Sequence, residues 1–145
     1  MAANTDPIFT KTPNVGWTSV YGNGGSAGPL KTANTNMDGT GTVTTAFTAG
    51  ANGAYLKKLI ARAAGSNIAT VLRVFINNGS TNSTLANNIL VAEMSLTLTT
   101  ANAAAGLPTF EMPLEFAIPN GYKVNVTIGT SVSAGYFVSV IGGDY

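Results

Sequence analysis

Three stretches of the chain alternate apolar and polar residues over seven positions, and this period of two is typical of a half-buried β-strand. One face of such a strand is apolar and the other is polar, so the apolar face needs an opposing layer. The apolar positions are Ala92, Met94, Leu96 and Leu98, then Phe110, Met112, Leu114 and Phe116, and finally Tyr122, Val124, Val126 and Ile128. The pattern predicts a layered β-structure.

Shorter apolar runs, separated by Gly, Asn and Pro, extend this prediction to seven strands. The predicted strands lie near residues 43–47, 55–63, 69–77, 89–98, 109–118, 122–128 and 136–141. Short antiparallel strands without helical periodicity favour an all-β, antiparallel two-sheet sandwich of jelly-roll or Greek-key type. The turn at Pro119-Asn120-Gly121 lies between two alternating runs, which predicts a hairpin.

Residues 1–41 differ from the rest of the chain. Pro7, Pro13 and Pro29 interrupt regular elements, and four glycines crowd residues 22–28. This composition predicts an extended N-terminal arm, followed by a sandwich domain over residues 42–145. Residues 17–21 are expected to form a short strand, added either to the protein's own sheet or to a neighbouring subunit, and the sequence leaves both alternatives open. If the arm is a tether, removing residues 1–30 should leave a folded sandwich.

The alternation also predicts which residues form the core. Residues in the apolar phase of a strand should face the interior of the sandwich. They are Leu72, Val74, Ile76, Met94, Leu96, Leu114, Phe116, Val124, Val126 and Ile128. Asn125 occupies the opposite, polar phase, so Asn125→Asp should be tolerated whereas Val126→Asp should prevent folding.

Charge is scarce, since Asp, Glu, Lys and Arg make up 9% of the chain and the net charge is +1, against about 25% charged residues in typical domains. A surface with so little charge gives weak repulsion between molecules, which favours an assembly. Nucleic-acid binding needs clustered Lys and Arg, and no such cluster is present, so nucleic acid is not expected as a partner. The sequence contains no apolar run long enough to span a membrane.

Catalytic chemistry has few candidates, because the chain contains no His and no Cys. The usual nucleophile and base pairs are therefore missing. Glu111 and Glu115 lie about 13 Å apart on one strand, too far for either class of glycosidase, and Glu93 could approach Glu111 only across strands. We expect a protein that is not an enzyme and that holds no cofactor and no metal ion.

Aromatic residues give the candidates for contacts with another chain. Phe110, Phe116, Tyr122, Tyr136 and Phe137 fall at strand spacing, which is more typical of core residues than of a binding platform. Trp17 and Tyr145 lie outside regular alternation, and Val20 and Tyr21 accompany Trp17 in the arm. The predicted partner interface consists of Trp17, Val20, Tyr21 and Tyr145.

From Ala49 onward the chain resembles the jelly-roll head-decoration, or cement, proteins of tailed bacteriophages. The segments that carry the resemblance are AGANGAYLKKLIARAAG, ATVLRVFINNGS, MPLEFAIPNGYKVNVTIGT and SVIGGDY. The resemblance implies a homodimer or homotrimer that binds the major capsid protein on the capsid exterior and ties capsomers together. It also implies location in the virion and no catalytic residues, while the absence of Cys fits synthesis in the reducing host cytoplasm. The arm has no counterpart in the resemblance.

Two alternatives stay open at this point, because one fold serves many functions. The first is a glycan-binding module of a tail fibre or surface lectin, in which Trp17, Tyr21, Tyr55 and Tyr136 would stack on sugars. The second is a shell-forming coat protein, which the resemblance makes less favourable since major capsid proteins of tailed phages are generally longer and are not sandwiches.

Overall fold

The computed structural model describes residues 10–18 and 28–145, which form eight strands and one short 3-10 helix. The strands are β1 (Thr12–Trp17), β2 (Thr44–Thr48), β3 (Ala54–Ala63), β4 (Thr70–Asn77), β5 (Asn88–Leu96), β6 (Thr109–Ile118), β7 (Lys123–Ile128) and β8 (Tyr136–Asp144), and the 3-10 helix is Leu85–Asn87. The seven strands predicted from periodicity correspond to β2 through β8, with ends that differ by up to three residues.

The eight strands form two antiparallel sheets packed as a sandwich. Sheet A has the order β1-β8-β3-β6, and sheet B has the order β2-β7-β4-β5. Consecutive strands lie in different sheets except for β4 and β5, which form a hairpin within sheet B. This strand order is that of a jelly roll. The predicted fold class, an all-β antiparallel two-sheet sandwich, is confirmed.

The turn at Pro119-Asn120-Gly121 is present, but it does not make a hairpin. The backbone N–H of Tyr122 donates to the carbonyl of Pro119 at 3.2 Å, and Gly121 has a φ of 72°, which glycine adopts without strain. The turn joins β6 of sheet A to β7 of sheet B. The hairpin prediction is wrong because turn residues determine where the chain reverses, whereas the packing of whole strands determines which strands pair.

The core lies between the two sheets, and every residue that alternation assigns to it lies in it or packs against it. Seven of the ten are buried, namely Leu72, Val74, Ile76, Leu96, Val124, Val126 and Ile128. Met94, Leu114 and Phe116 pack against this core but keep part of their surface exposed. Among the described residues Tyr136 is the largest fully buried side chain, and its ring packs in a T shape with that of Phe110, with centroids 6.2 Å apart.

The first strand shows how the N-terminal part of the chain is used. β1 pairs with β8 from Thr12, opposite Asp144, to Trp17, opposite Ser139, so residues 12–17 are an edge strand of the protein's own sheet A. This strand precedes the predicted one at residues 17–21, most of which lies outside the described residues. Removing residues 1–30 would take away β1 and the buried Leu30, so we no longer expect that truncation to leave the sandwich intact. The boundary after residue 41 stays a prediction.

Residues 33–43, which we call the covering segment, cross the outer face of sheet B. The backbone N–H of Asn34 donates to Ile128 of β7 at 2.8 Å, and its carbonyl accepts from Arg73 of β4 at 3.3 Å. Gly39, with a φ of 80°, lies so close to Phe75 of β4 that a Cβ atom there would be 3.1 Å from the ring. Phe75 is therefore fully buried although it points away from the core.

The covered face corrects one expectation about Asn125. Asn125 is on the polar side of β7, as alternation predicts, but it is almost fully buried and accepts a hydrogen bond from the Thr45 hydroxyl at 2.8 Å. An aspartate there would place a negative charge in a buried site. Asn125→Asp is therefore not expected to be tolerated.

Candidate interaction surface on sheet A

The alternation along β8 determines which residues form the outer face of sheet A. Val138 and Val140 are fully buried in the core. Phe137, Ser139 and Ile141 alternate with them, so their side chains point to the outer face. Two of these three residues are large and apolar.

The register of the sheet places further apolar side chains beside them. Trp17 of β1 lies directly opposite Ser139, and Val15 lies directly opposite Ile141. On the other side of β8, Ile60 of β3 lies opposite Ser139. Side chains at directly opposite and diagonal positions are close enough to form one surface. We call this cluster the Trp17 patch, and its members are Val15, Trp17, Ile60, Phe137 and Ile141.

Exposure separates the Trp17 patch from an ordinary sheet surface. Val15, Trp17 and Phe137 are 46%, 43% and 42% exposed, although an outward position of an antiparallel sheet is usually polar. Single exposed apolar residues are common on proteins, but contiguous groups of them mark interaction sites. The patch is therefore a candidate surface for contact with another molecule.

The border of the patch carries basic side chains of β3. Arg62 lies opposite Phe137 and Lys58 lies opposite Ile141. The Lys58 Nζ atom is 3.1 Å from Glu111 Oε2 of β6, and both side chains are substantially exposed. Exposed pairs of this kind contribute little to stability. They give the apolar patch a polar rim, which is the usual composition of a protein interface.

Trp17 belongs to this patch, whereas the other predicted interface residues do not join it. Val20 and Tyr21 lie outside the described residues. Tyr145 is half-buried at the end of sheet A, where its backbone N–H donates to Gly53 at 3.2 Å and its carbonyl accepts from Asn52 at 3.2 Å. Trp17 lies at the other end of β1, about 17 Å along the strand from the end that adjoins Tyr145. The partner interface predicted for Trp17, Val20, Tyr21 and Tyr145 stays a prediction.

Phe137 and Val15 were missed as surface candidates. Tyr136 and Phe137 are consecutive residues of one strand, so their side chains must point to opposite faces. The two could not both be core residues, and the structure buries Tyr136 and exposes Phe137. Adjacent aromatic residues were therefore the signal in the sequence that one of them faces outward.

The carboxylates of Glu93 and Glu111 lie on different sheets. Glu93 Oε1 of β5 accepts from Arg73 Nε at 2.9 Å on sheet B, while Glu111 pairs with Lys58 on sheet A. Each faces outward from its own sheet, so the two do not meet as an acid and base pair. Within residues 10–18 and 28–145, no three acidic residues are grouped closely enough to hold a metal ion.

Asp38 illustrates how the carboxylates are used in the loops. Its Oδ1 atom accepts hydrogen bonds from the Thr40 hydroxyl at 2.6 Å and the Thr40 backbone N–H at 2.9 Å. These hydrogen bonds, the hydroxyl bond first, hold the pKa of Asp38 below its usual value. Asp38 therefore closes a turn in the covering segment.

No protein family model matches the chain, and no curated protein matches its sequence. Among the described residues there is no helix with the length and hydropathy of a membrane span. The resemblance to head-decoration proteins accordingly depends on the four quoted segments alone.

Proposed function

We propose that this protein is a virion structural protein that binds the outer surface of a phage capsid and ties neighbouring capsomers together. The observation that carries the binding role is the Trp17 patch, in which Val15, Trp17 and Phe137 are exposed together on one face of sheet A. The identity of the bound surface, the major capsid protein, comes from the resemblance. The protein would act as a homodimer or homotrimer.

The proposed mechanism needs binding and no chemical step. A protein that binds the assembled shell, and not its separated subunits, stabilises the shell by its binding free energy. Many symmetric copies on one particle multiply that contribution. Aromatic residues at the centre of an interface typically supply most of the binding free energy, and this is the role we assign to Trp17 and Phe137.

The glycan-binding alternative has less support. Of the four aromatic residues considered for sugar stacking, Tyr136 is fully buried and Tyr21 lies outside the described residues. Tyr55 and Trp17 both lie on sheet A, but Tyr55 is opposite Gly143 while Trp17 is opposite Ser139. With two strand spacings between β1 and β3, the backbone positions of these two residues are roughly 16 Å apart, which does not favour one shared sugar ring.

Co-sedimentation with undecorated heads of the encoding phage tests the proposal. Purified protein should pellet with the heads in a saturable manner at a fixed number of copies per particle. A glycan array run on the same preparation tests the alternative. Sedimentation with heads supports the proposed function, whereas absence of head binding together with saturable binding to a glycan would overturn it.

A further inference from the structure

The described residues include three Asn-Gly pairs, each in a connection between strands. They are Asn52-Gly53 before β3, Asn78-Gly79 after β4, and Asn120-Gly121 between β6 and β7. An asparagine before glycine can react with its own main chain, because glycine has no Cβ atom to hinder the approach of its nitrogen to the asparagine side chain. All three asparagines are exposed, so access to water does not distinguish the three pairs.

Hydrogen bonding does distinguish them. For the reaction, the backbone nitrogen of the glycine must reach Cγ of the asparagine, so both groups must be free to turn toward each other. A hydrogen bond made by either group has to break first, and its free energy adds to the barrier and slows the reaction. The hydrogen bonds of each pair therefore predict which pair reacts.

The Asn78-Gly79 pair is held at both reacting groups. The Gly79 N–H donates to Asn77 Oδ1 at 2.9 Å. The Asn78 side chain donates through Nδ2 to Asn87 Oδ1 at 3.0 Å, and its Oδ1 accepts from the Ser80 N–H at 3.1 Å. Both groups would have to leave their partners before they could meet.

The Asn52-Gly53 pair is also held at both groups. The Gly53 N–H donates to the carbonyl of Gly50 at 3.1 Å, and Asn52 Nδ2 donates to the carbonyl of Tyr145 at 3.2 Å. A Cβ atom on Gly53 would lie 2.7 Å from the carbonyl oxygen of Ile118. The backbone of this pair is therefore packed closely against the end of β6, which further restricts its movement.

The Asn120-Gly121 pair is free at both groups. Among the described residues, neither the Asn120 side chain nor the Gly121 N–H forms a hydrogen bond. A Cβ atom on Gly121 would have no atom within 4 Å apart from those of its chain neighbours. The turn is closed by the hydrogen bond from the Tyr122 N–H to the carbonyl of Pro119, which uses neither of the reacting groups.

We propose that Asn120 is a site of spontaneous deamidation, and that in the folded protein it reacts faster than Asn52 and Asn78. The backbone nitrogen of Gly121 forms a bond to Cγ of Asn120, and the bond from Cγ to the side-chain nitrogen breaks. That nitrogen leaves as ammonia with the proton of the Gly121 N–H. The cyclic imide then takes up a water molecule and opens at either carbonyl, giving aspartate or isoaspartate. This inference does not rest on the proposed function.

The products alter the turn that joins the two sheets. A carboxylate replaces a neutral amide, which changes the formal net charge of the chain from +1 to 0. Isoaspartate also places an extra atom in the main chain between residues 120 and 121. A Cβ atom on Gly79 would lie 2.8 Å from the carbonyl oxygen of Gly121, so this turn packs against the loop after β4. The longer main chain of isoaspartate should disturb that contact.

Peptide mapping of the full chain after incubation at pH 8 and 37 °C tests the proposal. Digestion with trypsin and a protease that cuts after Glu places Asn52, Asn78 and Asn120 on separate peptides, and Asn23-Gly24, which lies outside the described residues, on a further one. Mass spectrometry then follows the replacement of each amide, relative to an unincubated sample. Asn120 should react at least about fivefold faster than Asn52 and Asn78, whose hydrogen bonds must break first. Its peptide should give two products of equal mass, with aspartate and with isoaspartate.

Two controls assign the effect to the fold and to the site. Guanidinium chloride unfolds the chain, and the rates at the three asparagines should then agree within about threefold, because each is followed by glycine and none is protected by structure. Asn120→Gln should remove both products from its peptide, because glutamine would have to close a larger ring. The rates at Asn52 and Asn78 should be unchanged in this variant.

Deamidation of Asn120 at the same rate as Asn52 or Asn78 in the folded protein, or more slowly, would overturn the proposal. The same differences in rate in guanidinium chloride would also overturn it, since the hydrogen bonds of the folded protein would then not determine them. Aspartate as the sole product would contradict the cyclic imide.

Discussion

Among the described residues, the covering segment lies over the outer face of sheet B, whereas the outer face of sheet A keeps large apolar side chains exposed. On sheet B the outward-facing Phe75, Asn125 and Thr127 are buried, and Gly39 of the covering segment lies against Phe75. On sheet A, Trp17 and Phe137 stay about two-fifths exposed. Both sheets have four strands. The difference in the exposure of their outer faces therefore does not come from the number of strands.

The two faces also differ in the chemistry of what is buried. Beneath the covering segment, polar groups are joined by hydrogen bonds such as that from the Thr45 hydroxyl to Asn125. Buried polar groups need such partners; the chain supplies one to Asn125, whereas no described residue forms a hydrogen bond with the buried Thr127 Oγ1. The Trp17 patch is apolar, and apolar surface is stabilised by removal from water. Among the described residues, the outward-facing Phe75 of sheet B is buried within the monomer whereas apolar side chains of sheet A stay exposed, and we propose that this exposed face gains from a partner.

The largest effect is expected from a charge placed in the core, on the inner face of sheet B. Val126 of β7 is fully buried between the sheets, and an ionised carboxylate there costs more than the several kcal/mol that hold a domain together. Val126→Asp should prevent folding, as measured by circular dichroism and thermal unfolding. Ser139→Asp, on the outer face of sheet A, should change the free energy of unfolding by less than about 1 kcal/mol. Similar stability of both variants would show that the strand register is wrong.

The next effect concerns the attachment of the covering segment. The Asn34 side chain is buried and donates to the carbonyls of Thr40 at 2.8 Å and Thr42 at 2.9 Å. Asn34→Ala leaves both carbonyls without this donor and should lower the free energy of unfolding by about 2–4 kcal/mol, as measured by urea denaturation. The exposed Asn36 donates to the Thr40 hydroxyl at 2.9 Å, and Asn36→Ala should cost less than about 1 kcal/mol. Equal costs would mean that Asn34 does not anchor the segment.

Smaller effects are expected from the glutamates. Glu111→Gln and Glu115→Gln remove exposed charges and should each change stability by less than about 1 kcal/mol. Glu93→Gln should cost more, about 1–2 kcal/mol, because it removes the partner of Arg73, whose side chain is only 14% exposed. Thermal unfolding of the three variants at one pH ranks these effects. Loss of a hydrolytic activity on glycans in any of them would contradict the expectation that the protein is not an enzyme.

The smallest effect concerns alkaline pH. Burial raises the pKa of Tyr136 above its usual value. The unfolded chain releases this proton from about pH 10, before the folded protein does. The contribution of the neutral Tyr136 phenol to the free energy of unfolding is therefore fully present below about pH 10. It declines as the pH rises toward the pKa that Tyr136 has in the folded protein. Urea denaturation at pH 8 and pH 11 should show a smaller loss of stability for Tyr136→Phe than for the unchanged protein. The same loss in both proteins would exclude Tyr136 as a contributor.

Periodicity predicted most of the strands, because alternation reports directly on which side chains of a strand face the core. It could not predict that Pro119-Asn120-Gly121 connects two sheets, since pairing depends on the packing of distant strands. Nor could it predict the burial of Asn125, whose side chain accepts a hydrogen bond from Thr45 of the neighbouring strand β2. Trp17 was identified as a surface residue by its place outside the pattern. Phe137 was missed because it lies within the pattern, next to another aromatic residue.

The central claim is that the Trp17 patch is the binding face, and head attachment by patch variants tests it most directly. Trp17→Ala combined with Phe137→Ala should give a folded protein whose affinity for undecorated heads falls at least about thirtyfold, since each anchor contributes more than about 1 kcal/mol. Leu98→Ala truncates an exposed apolar residue outside the patch and should attach with unchanged affinity. Full attachment of the folded double variant would contradict the claim.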